Sequence, residues 1–138
     1  MGDIFEMIKE NSVRIMVVDD SESVRELLAL ILKNEGFNVT ESCNGKDALN
    51  ILDEVKVDML LTDLYMPEMD GLQLVKKLRD SPKLRSMPVI MVSSENHEPI
   101  INKAKEIGVN EWLAKPFIPS ELMNVVRKYM NSHEFQRT

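Results

Sequence analysis

The chain has 138 residues, 43% hydrophobic and 29% charged, which sizes it for one domain with a substantial core. Its net charge of −6 lacks the concentrated Lys and Arg that a nucleic-acid or anionic-membrane surface requires, so neither partner is expected. No apolar run nears the roughly 20 residues of a membrane span, no basic-then-apolar start signals secretion, and Glu6 stands where a myristoylation motif wants Ser or Thr.

Residues 1–11 put Ile4, Phe5 and Ile8 on one helical face behind an Asp3/Glu6 capping pair, so 1–12 reads as an extension, either a short helix or a disordered arm. Ile15 to Val18 is an apolar run of buried-strand length ending in Asp19-Asp20. Ser21 or Ser23 can cap the helix that follows, whose Val24, Leu27, Leu28, Ile31 and Leu32 repeat at the helical period until Gly36. Asn38 to Ser42 is a weaker strand, followed by Cys43, read as a small half-buried residue. As the single cysteine it excludes an internal disulfide and suits a reducing cytoplasm. Asn44-Gly45 marks a turn before a helix carrying Ala48, Leu49, Ile51 and Leu52 inward.

Met59 to Asp63 is a third strand, running into the Met66–Gly71 loop and a helix marked by Leu72, Leu74, Val75 and Leu78. Pro88 to Val92 is a fourth, ending in Ser93-Ser94, and a helix with Ile100, Ile101, Ala104 and Ile107 stops at Gly108. Glu111 to Ala114 is the last strand, ending in Lys115-Pro116. Ser120 and Glu121 begin a helix with Leu122, Val125, Val126, Tyr129 and Met130 as its apolar face. His97 and His133 read as solvent-exposed in loop and tail. Five strands alternating with five helices argue an α/β domain over 13–131 with a doubly wound parallel sheet and a polar tail at 132–138; right-handed crossovers leave few topologies, of which we choose the order 2-1-3-4-5.

Every sheet residue with useful chemistry falls at the carboxyl end of a strand: Asp19 and Asp20, Asp63, Ser93 and Lys115. Singly each has an ordinary explanation, as helix cap, loop hydroxyl or solvated lysine. Their convergence on one rim does not. Packed carboxylates repel, and a hard divalent cation with oxygen ligands, Mg²⁺, relieves that strain. With Lys115 and Ser93 beside it, the rim can cradle a phosphoryl group, and Asp63 can act as a carboxylate nucleophile giving an aspartyl phosphate.

The segments Val17-Val18-Asp19-Asp20-Ser21, Thr62 to Gly71, Pro88 to Ser93 and Lys115-Pro116-Phe117 resemble the receiver domains of two-component response regulators over residues 13 to 130. Ser81-Pro82-Lys83 and Glu95 make the likeness greatest to the single-domain chemotaxis CheY type, a flavodoxin-like fold. CheY itself exemplifies the strand order 2-1-3-4-5, so that order goes with the resemblance and is no independent support for it. The resemblance implies a cytoplasmic signalling protein, not a turnover enzyme, that catalyses its own phosphorylation and slow autodephosphorylation. A sensor histidine kinase would donate from phosphohistidine to Asp63. Mg²⁺ would be bound by Asp20, Asp63 and the Tyr65 carbonyl, with Asp19 acting through water. Lys115 and Ser93 would hold the phosphoryl oxygens, and the Lys115–Pro116 peptide would be cis. Ser93 and Trp112 would form the switch, coupling the pocket to a protein-binding face on the fourth helix, fifth strand and fifth helix. By the same resemblance, Tyr65 and Glu95 would stand at positions that influence phosphoryl lifetime in the family.

The output partner is then a flagellar motor component in chemotaxis or, in a phosphorelay, a phosphotransfer domain. A receiver-fold interaction module that is never phosphorylated is the third reading. A flavodoxin-type carrier would want a Ser/Thr/Gly-rich loop where Asp19-Asp20 stand, and an aspartyl-phosphate phosphatase a second Asp at Tyr65.

Overall fold

Apolar side chains in the central strands alternate between two separate cores. Met16, Val18, Leu60, Val89 and Met91 join one, while Ile15, Val17, Met59, Leu61, Ile90 and Val92 join the other. Side chains along a strand point to opposite faces, so continuous apolar runs demand cover on both. The computed structural model describes residues 13–137, with side chains described through Met130; the extension expected over 1–12 lies outside the described residues.

In chain order the elements are β1 (Arg14–Val18), α1 (Glu22–Asn34), β2 (Asn38–Ser42), α2 (Gly45–Glu54), β3 (Met59–Thr62), α3 (Gly71–Asp80), β4 (Val89–Ser93), α4 (Glu98–Ile107), β5 (Glu111–Ala114) and α5 (Pro119–Arg137). The sheet is parallel throughout and ordered β2-β1-β3-β4-β5, the order expected from the sequence. Helices α2, α3 and α4 supply Ala48, Leu52, Leu74, Val75, Leu78 and Ala104 to the first core. Helices α1 and α5 supply Leu28, Leu32, Leu122, Val126 and Met130 to the second. Each large side chain among these, fully buried, contributes about 1.5–3 kcal/mol. Because β1 and β3 lie side by side at the centre, the loops that follow them open on the same edge, at the point where the chain reverses its winding.

Helix starts follow local chemistry. Ser21 caps α1 by accepting from the Val24 N–H, Asn44 caps α2 from Asp47, and Asp70 forms a reciprocal capping box with Gln73 at α3. Gly108 ends α4 at φ 110°, a conformation that other residues adopt only with strain. No helix among the described residues is long and apolar enough to cross a membrane.

Four sequence expectations need correction. Leu27, placed on the inward face of α1, is 48% exposed, because Leu28, Ala29 and Leu32 take that face. Cys43 is exposed rather than half-buried, because its neighbour Ser42 takes the inward position at the strand end. Met123, missed from the α5 apolar face, is buried in the second core. The α5 backbone stays helical through Arg137, past the boundary drawn at 131; 132–137, polar apart from Phe135, carry no Gly or Pro to stop it.

Candidate functional site

Asp63 is the first residue past β3, and its backbone N–H still donates to the Val18 carbonyl at 2.9 Å, which holds it beside the end of β1. Asp19 is likewise the first residue past β1, pinned by its N–H to the Ser42 carbonyl at 3.2 Å. Two neighbouring parallel strands thus end in carboxylates at the same height. Asp19 is fully buried, Asp63 half-buried and Asp20 exposed, and one carboxylate oxygen from each lies within 4.8 Å of the others.

Lys115, one residue past β5, reaches across this edge. Its ammonium stands 3.0 Å from Asp19 Oδ2 and 3.4 Å from Asp63 Oδ2. The Lys115–Pro116 peptide is cis, as the resemblance implies. One cation against three anions leaves the edge under-neutralised. Burial pushes the Asp63 carboxyl above its ordinary range; Lys115 opposes this, and repulsion from Asp19 adds to it.

The three carboxylates differ in what already occupies them. Asp19 Oδ1 accepts from the Ser21 N–H at 2.9 Å while Oδ2 takes Lys115, so both its oxygens are engaged. Asp63 Oδ1 accepts from the Leu64 N–H at 2.8 Å. Among the described residues no hydrogen bond holds the Asp20 carboxylate, and none reaches the Tyr65 carbonyl. All available donors are oxygens, the set suited to a hard cation such as Mg²⁺ rather than to a nitrogen- or sulfur-liganded metal.

Ser93 ends β4, beside β3, and is fully buried. Its hydroxyl accepts from the Glu95 N–H at 3.1 Å, and no hydrogen bond joins it to Asp63 among the described residues. Its proton has no acceptor among those residues either, so it is available to donate. Trp112 is half-buried, and its indole N–H donates to the Glu95 carbonyl at 3.1 Å. Tyr65, 55% exposed, donates its hydroxyl to the Glu95 carboxylate. Glu95 therefore ties Tyr65, Ser93 and Trp112 to one loop. His97 is exposed at the head of α4, and His133 lies outside the described side chains.

Sequence reading missed two features of the edge. Arg25 donates from Nη1 to the Asp19 carbonyl at 2.8 Å and pairs through Nε with Glu41 at 3.3 Å. Its position one helical turn beyond the Ser21 cap is the signal that it could reach back to that loop. Beside Lys115, the apolar side chains of Val24, Leu27, Pro116 and Phe117 line an open groove of about 350 Å³.

A family model described as the response regulator receiver domain matches residues 15–127. A two-component response regulator of rice, ORR11, is 39% identical over 117 residues, covering 84% of this chain and 80% of its own. The Vibrio cholerae chemotaxis protein CheY4 superposes with a TM-score of 0.81 at 28% identity, over 84% of this chain and 97% of that one. The receiver domain of a signal transduction histidine kinase from Syntrophus aciditrophicus superposes with a TM-score of 0.81 at 29% identity, over 87% and 91%.

Proposed function

Because the chain belongs to the response regulator receiver family, we propose that Asp63 accepts a phosphoryl group from the phosphohistidine of a histidine kinase and that the resulting aspartyl phosphate switches a protein-binding face. The observation that carries this is the Lys115 ammonium bridging Asp19 and Asp63 on an edge that holds three carboxylates.

An Asp63 oxygen attacks phosphorus, the N–P bond of the donor breaks as the O–P bond forms, and the imidazole leaves with the bonding pair. Lys115 pairs with a phosphoryl oxygen, and the Ser93 hydroxyl donates its free proton to another. Asp20, Asp63 and the Tyr65 carbonyl would hold Mg²⁺ directly, and the fully buried Asp19, held by Ser21 and Lys115, through water. When bound, the ion neutralises charge on the transferring oxygens. The groove beside Lys115 offers the donor protein an apolar surface next to the acceptor.

Output runs through the face of α4, β5 and α5, where Trp112 links Glu95 to β5. Phosphorylation acts there by favouring one of two states already populated. A chemotaxis role draws support from the likeness to CheY4, at 28% identity. The 39% identical relative is a plant two-component regulator, and the kinase receiver is as similar in fold as CheY4. Those likenesses favour a second reading, a cytoplasmic phosphorelay intermediate that passes the group to a phosphotransfer domain.

The test is labelling by acetyl phosphate in wild type and Asp63→Asn, with folding checked by circular dichroism. Labelling should need Mg²⁺ and vanish in the variant; full labelling of a folded Asp63→Asn protein moves the acceptor elsewhere.

A further inference from the structure

We propose that Arg25 is a positioning residue for the cation-binding carboxylates, acting through the peptide that joins Asp19 to Asp20; the inference rests on the reading of this edge as a Mg²⁺ site. Asp20 is exposed, and no hydrogen bond among the described residues holds its carboxylate. Only its backbone fixes where that carboxylate starts from. The Asp19 carbonyl lies in the same peptide plane as the Asp20 N–H, so whatever holds the carbonyl sets the plane from which Asp20 projects.

Arg25 holds it. Nη1 donates to the Asp19 carbonyl at 2.8 Å, and Nε sits 3.3 Å from Glu41 Oε1 on the neighbouring strand β2. The guanidinium is rigid and planar, so two anchors on one fork fix its orientation better than either alone. The Arg25 side chain is 17% exposed, which limits how far water can substitute for its bond to the carbonyl, while Glu41 is exposed and is the weaker anchor. The loop is thus gripped from three sides: Ser42 on the Asp19 N–H, Ser21 and Lys115 on the Asp19 carboxylate, and Arg25 on the Asp19 carbonyl. The Ser21 bond closes a ring through the Asp19–Asp20 peptide and restricts that plane, and Arg25 adds the contact made on the carbonyl itself.

Charge alone predicts the opposite sign. A guanidinium beside carboxylates repels an incoming cation, so neutralising it should tighten Mg²⁺ binding. Positioning predicts weakening, of the size seen when partners that orient metal ligands are lost.

The experiment is a Mg²⁺ titration by isothermal calorimetry on wild type, Arg25→Met and Arg25→Lys, each with its urea midpoint, alongside the Mg²⁺ dependence of acetyl phosphate labelling. The Mg²⁺ Kd should rise roughly 10-fold in Arg25→Met. Arg25→Lys should fall between that variant and wild type, because lysine keeps the charge but lacks the rigid planar fork that fixes both contacts in one orientation. Equal or tighter Mg²⁺ binding in folded Arg25→Met overturns the proposal. If that variant does not fold, Arg25→Lys decides it: charge is kept, so wild-type affinity overturns positioning and weakened affinity supports it. A wild type that takes up no Mg²⁺ overturns the underlying reading as well, whereas normal uptake by wild type and both variants overturns this inference alone.

Discussion

Replacing Lys115 with methionine keeps most of the aliphatic stem and removes the ammonium that bridges Asp19 and Asp63. At an effective dielectric of about 20, unit charges 3.0 and 3.4 Å apart attract by roughly 5.5 and 5 kcal/mol. That gross figure overstates the effect, since Lys115 also loses hydration on folding and its side chain stays 20% exposed. Removing one partner of a buried pair typically costs about 3–5 kcal/mol, and partial exposure places Lys115→Met at the low end, about 3 kcal/mol at neutral pH. With a urea slope of about 1.5–2 kcal/mol/M, the unfolding midpoint should fall by roughly 1.5–2 M.

Acid supplies the second arm. Burial already holds the Asp63 pKa above its ordinary value, and Lys115 is the largest influence opposing that, so its loss raises the pKa further. A folded-state pKa raised above the unfolded one gives stability that is present at low pH and lost as pH rises through the folded value. The variant's deficit should therefore shrink on acidification from neutrality toward the ordinary carboxylate range. Millimolar Mg²⁺ should shrink it too, by supplying the missing positive charge. Urea melts of both proteins across pH, with and without Mg²⁺, read all three effects. A deficit under about 1 kcal/mol at neutral pH, or one flat with pH, refutes the account of Lys115 as the charge holding two repelling carboxylates.

Two further outcomes test the scaffold. A methyl group at Gly71 would overlap the Asp63 carbonyl oxygen and sit 3.0 Å from Met91 Sδ and 3.1 Å from Leu64 Cα, so Gly71→Ala should cost about 2–3 kcal/mol in urea and weaken Mg²⁺ binding by displacing the Asp63 loop; an unchanged midpoint means the helix shifts freely. Trp112→Phe deletes the bond to the Glu95 carbonyl and should cost about 1 kcal/mol while leaving Mg²⁺ affinity unchanged, because that bond lies on the loop rather than among the carboxylates; loss of Mg²⁺ binding would show the two are coupled.

The fold was readable because its signals are periodic and redundant. Runs such as Ile15 to Val18 and Met59 to Leu61 fit strands covered on both sides, and Gly36 and Gly108 punctuate the helices between them. The edge was readable because a parallel sheet sends every strand end to one rim, so Asp19, Asp63, Ser93 and Lys115 needed only correct strand boundaries to be brought together. What escaped depended on side-chain reach. The position of Arg25 one turn past the Ser21 cap puts it within reach of the loop but does not say which carbonyl it bonds, and the Glu95 contacts to Tyr65 and Trp112 join positions 30 and 17 residues apart. Leu27 went wrong for a related reason: a helical period gives the width of an apolar stripe but not where its edge meets solvent.

The same imbalance that costs the folded state also gives it a use. Three carboxylates against one ammonium leave two net negative charges on the edge, the charge that one divalent cation cancels. Moving Asp63 closer to Lys115 would ease folding but, on the proposed function, would tie up the oxygen that attacks phosphorus; removing Asp20 would ease it but would delete the one carboxylate of the three with no protein hydrogen bond among the described residues. The proposed cation site and the proposed nucleophile therefore both require that the carboxylates be left short of neutralisation by the chain itself. Stability is lost at this edge and supplied elsewhere, by the two apolar cores that hold β1 and β3 in register against the repulsion at their ends.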